Sequence, residues 1–141
     1  MTTTQTLNPN PFNRAVIEEF RANAGHVSRF PGSKLLLLTT TGARTGLPRT
    51  TPLMYLPDGD RLVVFASNGG SPTAPAWFRN ILANPEVTVE VGDDRYTARA
   101  TVIDEREYDE LWARQIAVEP DFAQFRPRTT RVIPLVALER A

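Results

Sequence analysis

Cysteine is absent from the 141-residue chain, which excludes disulfide bonding, thiolate metal sites and cysteine nucleophiles. There is one histidine, His26, too few for a histidine metal cluster or for most histidine-dependent catalytic arrangements. Nothing near it in sequence supplies a nucleophile or a second ligand, so it reads as a surface or helix-end residue. Net charge is missing too: 16 basic residues balance 16 acidic ones, leaving no global field to draw nucleic acid or a membrane surface. Anion recognition, if present, must be local. No apolar run approaches the ~20 residues of a membrane helix, and the opening MTTTQTLNPNPFNR lacks the basic and apolar regions of a signal peptide. These absences predict a cytoplasmic protein with no metal, no nucleic-acid partner and no integral membrane segment. Peripheral membrane association stays open, although the N-terminal helix carries few basic residues for it.

A chain of this length is expected to form one domain, 1–141, burying about two thirds of its unfolded surface. The stretch LLLLTTTGARTGLPRTTPLMY, Leu35 to Tyr55, organises the rest. An apolar strand runs into a turn with two glycines, Gly42 and Gly46, and two arginines, Arg44 and Arg49, and a second strand returns. Backbone N–H groups and guanidinium groups gathered in this way suit a phosphate or other anion. Gly-Ala-Arg-Thr-Gly is also an ordinary way to turn a hairpin, so the loop alone leaves both readings open.

Residues 1–9 are polar and expected to be flexible. A helix over 10–24 follows from Phe12, Val16, Ile17 and Phe20 at helical spacing. Pro57-Asp58-Gly59-Asp60 is a hairpin turn, and Arg61–Ser67 the third strand. Asn68 to Pro75 forms a loop before a helix carrying Trp77, Phe78, Ile81 and Leu82, which ends at Asn84-Pro85. Glu86–Val91 and Arg95–Ile103 alternate as a second hairpin. Asp104 and Glu107 look like a capping arrangement for a helix with Tyr108, Leu111, Trp112 and Ile116 inside. Val118–Arg128 is irregular, and Val132–Leu138 is a sixth strand whose Pro134 implies an edge or bulge. Six mainly antiparallel strands with helices around them predict an α+β fold on a small, partly closed barrel. The interior of so small a barrel is filled by side chains, so a cofactor belongs on its outer surface or at a subunit interface.

The succession LLLLTTTGARTGLPRTTPLMYL, FASNGG and PAWFRNILANPEVTVEV resembles the deazaflavin-dependent nitroreductase family, whose members are split β-barrel, FMN-binding-like proteins that use coenzyme F420. The similarity spans roughly Lys34 to Ile103, with an echo at Arg131-Val132-Ile133-Pro134. It implies that Arg44, Thr45 and Arg49 grip the phosphate and acidic tail of F420, in keeping with the bidentate geometry of arginine. It also implies that Pro52, Leu53, Met54, Ala66 and Ser67 lie along the deazaflavin ring. Asn68, Gly69 and Gly70 would let backbone approach the cofactor, and Pro75, Ala76, Trp77 and Phe78 would frame its other side. Where family members often have a lysine, this chain has Asn68, one cation fewer for the acidic tail. In the segment where some members line the acceptor pocket with tyrosines, the matching positions here are Glu119, Phe122 and Phe125, and the position of a further pocket tyrosine is Met54.

The implied activity is hydride transfer from reduced F420 to a small electron-poor acceptor such as a quinone, a nitro compound or an activated enone. Ser67 is the candidate for a hydrogen bond to the acceptor or the ring, with backbone capping at a strand end as its plain alternative. Core packing is the alternative for Trp77, and for Phe122 and Phe125 as opposed to a lid. The rival functions are an FMN-dependent split-barrel oxidoreductase and a non-catalytic protein that binds F420 or a hydrophobic ligand. Split-barrel relatives are often dimers, while the family includes monomers, so a monomer or homodimer is the expectation.

Overall fold

Asn10 starts the first helix, its side-chain oxygen accepting from the N–H groups of Phe12 at 2.8 Å and Asn13 at 3.2 Å, with Pro11 at the first helical position. This helix, α1 (Pro11–Ala22), buries Val16, Ile17 and Phe20 and is shorter at both ends than the expected 10–24. The computed structural model describes residues 10–141; the expected flexible segment 1–9 lies outside the described residues. The helix ends where Gly25 donates to the Phe20 carbonyl at 2.8 Å. Gly25 has φ 94, and a Cβ there would stand 3.0 Å from the Gly92 Cα, so only glycine fits.

Among the described residues, seven strands make one sheet: β1 (Leu35–Thr41), β2 (Pro48–Met54), β3 (Leu56–Asp58), β4 (Arg61–Phe65), β5 (Glu86–Val91), β6 (Asp94–Val102) and β7 (Leu135–Arg140). Helices α2 (Ala76–Ala83) and α3 (Tyr108–Val118) lie in the connections. The strand order is β2-β1-β5-β6-β7-β4-β3, with every pairing antiparallel. The two ends of that order, β2 and β3, are joined by Tyr55 alone. The sheet must therefore curl until its edges meet, which makes it a split barrel.

The interior takes alternate residues from the strands, among them Leu36, Leu38, Val64, Val89, Ala98 and Leu138, closed by Trp77 and Ile81 of α2. Outside, α1 covers Leu35 and Leu37, while α3 covers Val63, Phe65, Leu135 and Ala137 with Leu111 and Trp112. Burial on both faces explains why β1 opens as four consecutive leucines and not as an alternating strand.

Three expectations are corrected. The sheet has seven strands and not six, because the Asp58-Gly59 turn pairs its own short strand, Asp58 opposite Arg61. The third strand stops at Phe65, leaving Ala66 and Ser67 in a connection. The closing strand runs from Leu135 to Arg140 and is central, between β6 and β4; Pro134 just precedes it, so its missing N–H costs no ladder bond. Asp104 does cap, accepting from the Arg106 N–H at 2.9 Å, whereas Glu107 pairs with Arg61 at 2.8 Å.

Strand direction sorts the connections. At one rim, β3 to β4 and β5 to β6 turn through two residues each, Gly59-Asp60 and Gly92-Asp93. At the other rim lie all the long ones: β1 to β2 through the arginine loop, β4 to β5 through α2, and β6 to β7 through α3 and residues 119–134.

Candidate functional site

The arginine loop is built on close contacts. Gly42 donates to the Leu47 carbonyl at 2.8 Å and Gly46 donates to the Gly42 carbonyl at 2.9 Å. The Thr45 hydroxyl accepts from the Leu47 N–H at 3.2 Å. A Cβ on Gly42 would stand 2.7 Å from that hydroxyl oxygen, so the loop cannot close this tightly around a larger residue. The buried Asn80 of α2 braces it from below. Its carbonyl oxygen accepts from the Ala43 N–H at 3.0 Å, and its amide nitrogen donates to the Thr40 hydroxyl at 3.0 Å. Asn80 was not among the residues singled out from the sequence. Its signal was its place on the buried stripe with Trp77 and Ile81, at i+3 from the tryptophan.

Arg44 is exposed and Arg49 half-buried on β2. Neither forms an ion pair among the described residues. In contrast, Arg21, Arg61, Arg95, Arg106, Arg114, Arg126 and Arg140 each reach a carboxylate at 2.7–3.8 Å. In a chain with no net charge, two uncompensated guanidinium groups on one braced hairpin form a local anion attractor.

The β4–α2 connection faces the same rim. Ala66 is buried and donates its N–H to the Pro134 carbonyl at 2.9 Å. Ser67 is 7% exposed, and its hydroxyl makes no hydrogen bond among the described residues, so it does not act as the side-chain cap that was its plain alternative. Asn68, Gly69 and Gly70 all have positive φ, 47, 66 and 83. The space above Gly70 is filled from within the chain, since a Cβ there would meet the Arg128 Cβ at 2.8 Å and the Phe125 carbonyl oxygen at 2.9 Å. Gly69 has nothing within 4 Å of the same position and is the open member of the pair. The Asn68 amide donates to the Thr73 carbonyl at 3.1 Å, holding the loop together.

Elsewhere the predicted set divides. On β2, Leu53 packs against the interior cluster and Met54 against the α1 cluster. Adjacent strand residues face opposite sides, so a ring lying on one face meets only one of these side chains; Pro52 shares the side of Met54. Pro75 precedes α2, its carbonyl accepting from the Phe78 N–H at 3.0 Å. Trp77 is in the core, while Phe78 is half-buried at its edge. Phe122 and Phe125 are half-buried against the α3 cluster. Their ring centroids are 4.9 Å apart, and Phe122 lies 5.6 Å from Phe65. These two phenylalanines therefore have packing partners as well as a position beside the Ser67 loop, which Phe125 touches through its carbonyl.

The family model for F420H(2)-dependent quinone reductase matches residues 12–140. The chain belongs to that family. It is 41% identical over 128 residues to the F420H(2)-dependent quinone reductase Rv1261c of Mycobacterium tuberculosis, covering 86% of this chain and 85% of that one. A solved F420-H2 dependent reductase, FDR-A, superposes with TM-score 0.68 at 34% identity, over 75% of this chain and 94% of that one. Another structure, described as a domain-swapped dimer, gives TM-score 0.69 at 30% identity over 87% and 94%. With membership come reductase chemistry, coenzyme F420 as the cofactor in place of FMN, and the split-barrel fold. The F420H2-dependent assignment also displaces the non-catalytic alternative.

The rim suits such a cofactor chemically. F420 is anionic, and the braced loop offers two arginines with no carboxylate to neutralise them among the described residues. No helix among the described residues is long and apolar enough to cross a membrane, and no cluster of metal-ligating side chains occurs among them.

Proposed function

We propose that this chain reduces a quinone-type acceptor at the rim formed by the arginine loop and the β4–α2 connection. Arg44, Thr45 and Arg49 hold the phosphate and acidic tail of F420. Pro52, Met54, Ala66, Asn68, Gly69, Gly70, Pro75, Trp77 and Phe78 border its ring and linker, Trp77 by supporting Phe78 from the core, while Leu53 contributes only backbone on that face. When bound and reduced, the deazaflavin supplies a hydride. Ser67, buried with an uncommitted hydroxyl, donates a hydrogen bond to the acceptor oxygen as negative charge develops there, contributing about 1–3 kcal/mol in a dry site. Met54, Phe122 and Phe125 line the acceptor side. The protein acts in the cytoplasm on a small molecule, as a monomer or homodimer and without nucleic acid, and residues 1–141 form one domain.

The observation that carries this reading is the pair of arginines, Arg44 and Arg49, with no carboxylate partner among the described residues, on a hairpin braced by a buried asparagine. Titration with F420 and separately with FMN, followed by tryptophan fluorescence, tests it. F420 is expected to bind more tightly than FMN, with an affinity that falls as salt rises. An Arg44→Ala/Arg49→Ala variant that binds F420 as well as the parent would sink the assignment.

A further inference from the structure

The carbonyls of Ala66, Ser67 and Ser71 lie beyond the end of β4, outside the sheet ladder, and draw on other donors. The Gly70 N–H reaches the Ser67 oxygen at 2.8 Å, and one side chain donates to all three. Arg131 Nε donates to the Ser71 oxygen at 2.9 Å, and Nη2 donates to the oxygens of Ala66 at 3.1 Å and Ser67 at 3.0 Å. Between these anchors lie three consecutive residues in left-handed conformation, Asn68, Gly69 and Gly70. Such backbone persists only when its surroundings over-determine it. Arg128 adds a second tie, donating to the Gly69 carbonyl at 3.3 Å while its other terminal nitrogen holds the Gln124 side-chain oxygen at 2.7 Å.

From this geometry we infer that Arg131 is a positioning residue for the reductase reaction. It fixes the backbone that carries Ser67, and with Arg128 it joins that backbone to the segment holding Phe122 and Phe125. The inference rests on the proposed placement of cofactor and acceptor around Ser67. The requirement is for a guanidinium fork and not merely a positive charge, because the acceptors lie in directions that Nε and Nη2 reach together. A lysine ammonium keeps the charge but presents its donors from a single point. With that substitution the loop loosens, and the Ser67 hydroxyl no longer holds its place relative to the acceptor and the aromatic pair.

The test uses the full chain with Arg131→Lys, Arg131→Ala and, as a reference, Arg44→Ala/Arg49→Ala. F420 affinity, kcat and KM for menadione with reduced F420, and the unfolding midpoint are measured for each. Arg131→Lys is expected to unfold near the parent midpoint and to lose far less F420 affinity than the double arginine variant, because Arg44 and Arg49 are intact. Its kcat should fall on the order of ten- to a hundredfold, as a small misplacement of reacting groups would produce. In Arg131→Ala, added methylguanidinium should restore part of kcat, and methylammonium at equal ionic strength should not. If Arg131→Ala does not fold, Arg131→Lys carries the test alone. A folded Arg131→Lys with parental kcat overturns the inference, as does equal rescue by methylammonium. Should the double arginine variant keep parental F420 affinity, the site reading itself fails; should it lose F420 while Arg131→Lys stays fully active, only the role of Arg131 fails.

Discussion

The two rims of the barrel are made from the same kinds of residue and treat them differently. At the short-turn rim, glycine serves a turn and arginine meets carboxylate. Gly59 has φ 61 with nothing within 4 Å of a would-be Cβ, and Arg61 and Arg114 both hold Asp58 at 2.8 Å. Across the barrel, Gly42 and Gly70 are glycine because other atoms occupy the space, Thr45 and Leu47 of the same loop at Gly42 and Arg128 and Phe125 at Gly70. Arginine there holds backbone carbonyls, as with Arg131, pairs with a carboxylate of its own connection, as Arg106 does with Asp104 and Arg126 with Asp109, or has no carboxylate among the described residues, as with Arg44 and Arg49. Charge satisfied internally stabilises a fold, and charge left over is available to a ligand. On the proposed function, the difference between the rims is the difference between a closure and a site.

The largest test of that contrast is Arg44→Ala/Arg49→Ala. Each charge-assisted hydrogen bond is worth about 1.5–3 kcal/mol, so F420 affinity should fall on the order of a hundredfold or more while the denaturant midpoint stays near the parent value. A pair of glycine substitutions comes next. Gly59→Ala meets only the left-handed backbone cost of about 1–2 kcal/mol. Gly70→Ala adds overlap with Arg128 and Phe125, and overpacking of that kind costs about 1–3 kcal/mol more. Equal midpoints for the two variants in urea would erase the distinction drawn between the rims.

Asn80→Ala should be milder. It leaves the Ala43 N–H and the Thr40 hydroxyl without their partner, a loss of about 1–3 kcal/mol in stability. It should also weaken F420 binding, because the loop it braces is freed. Unchanged binding alongside lost stability would make Asn80 a core residue only.

The smallest effect belongs to Asp58, whose hydrogen bonds from Arg114 and Arg61 hold its carboxyl below the ordinary carboxylate range. A lowered folded pKa means stability that is present above the unfolded value of about 3.9 and lost as pH falls through the folded one. Thermal midpoints should therefore drop on acidification below about pH 4, and Asp58→Asn should flatten that drop without touching F420 affinity. A parental slope in the variant would assign the acid sensitivity to other carboxylates.

Much of this was legible in the chain itself. Four leucines followed by Gly-Ala-Arg-Thr-Gly, the Asp58-Gly59 turn, the alternation through EVTVEV and the helical spacing of Trp77 and Ile81 are local signals. Local signals fix elements, because turn geometry and periodicity act within a few residues. The family resemblance carried cofactor and fold, since it rested on several spaced motifs in one order. Other features were not legible because they depend on pairing across the chain. Pro134 reads as an edge signal until β7 is seen between β6 and β4, where the proline stands just outside the ladder. Leu53 and Met54 read as neighbours along a ring until the pleat sends them to opposite faces. Arg131 lies 60–65 residues from the carbonyls it holds, and no periodicity connects them. Sequence alone determined most of the elements and which residues are candidates to grip an anion. Only the closed sheet decided which arginines keep a carboxylate partner and which have none among the described residues, because a long side chain finds its partner through space and not along the chain.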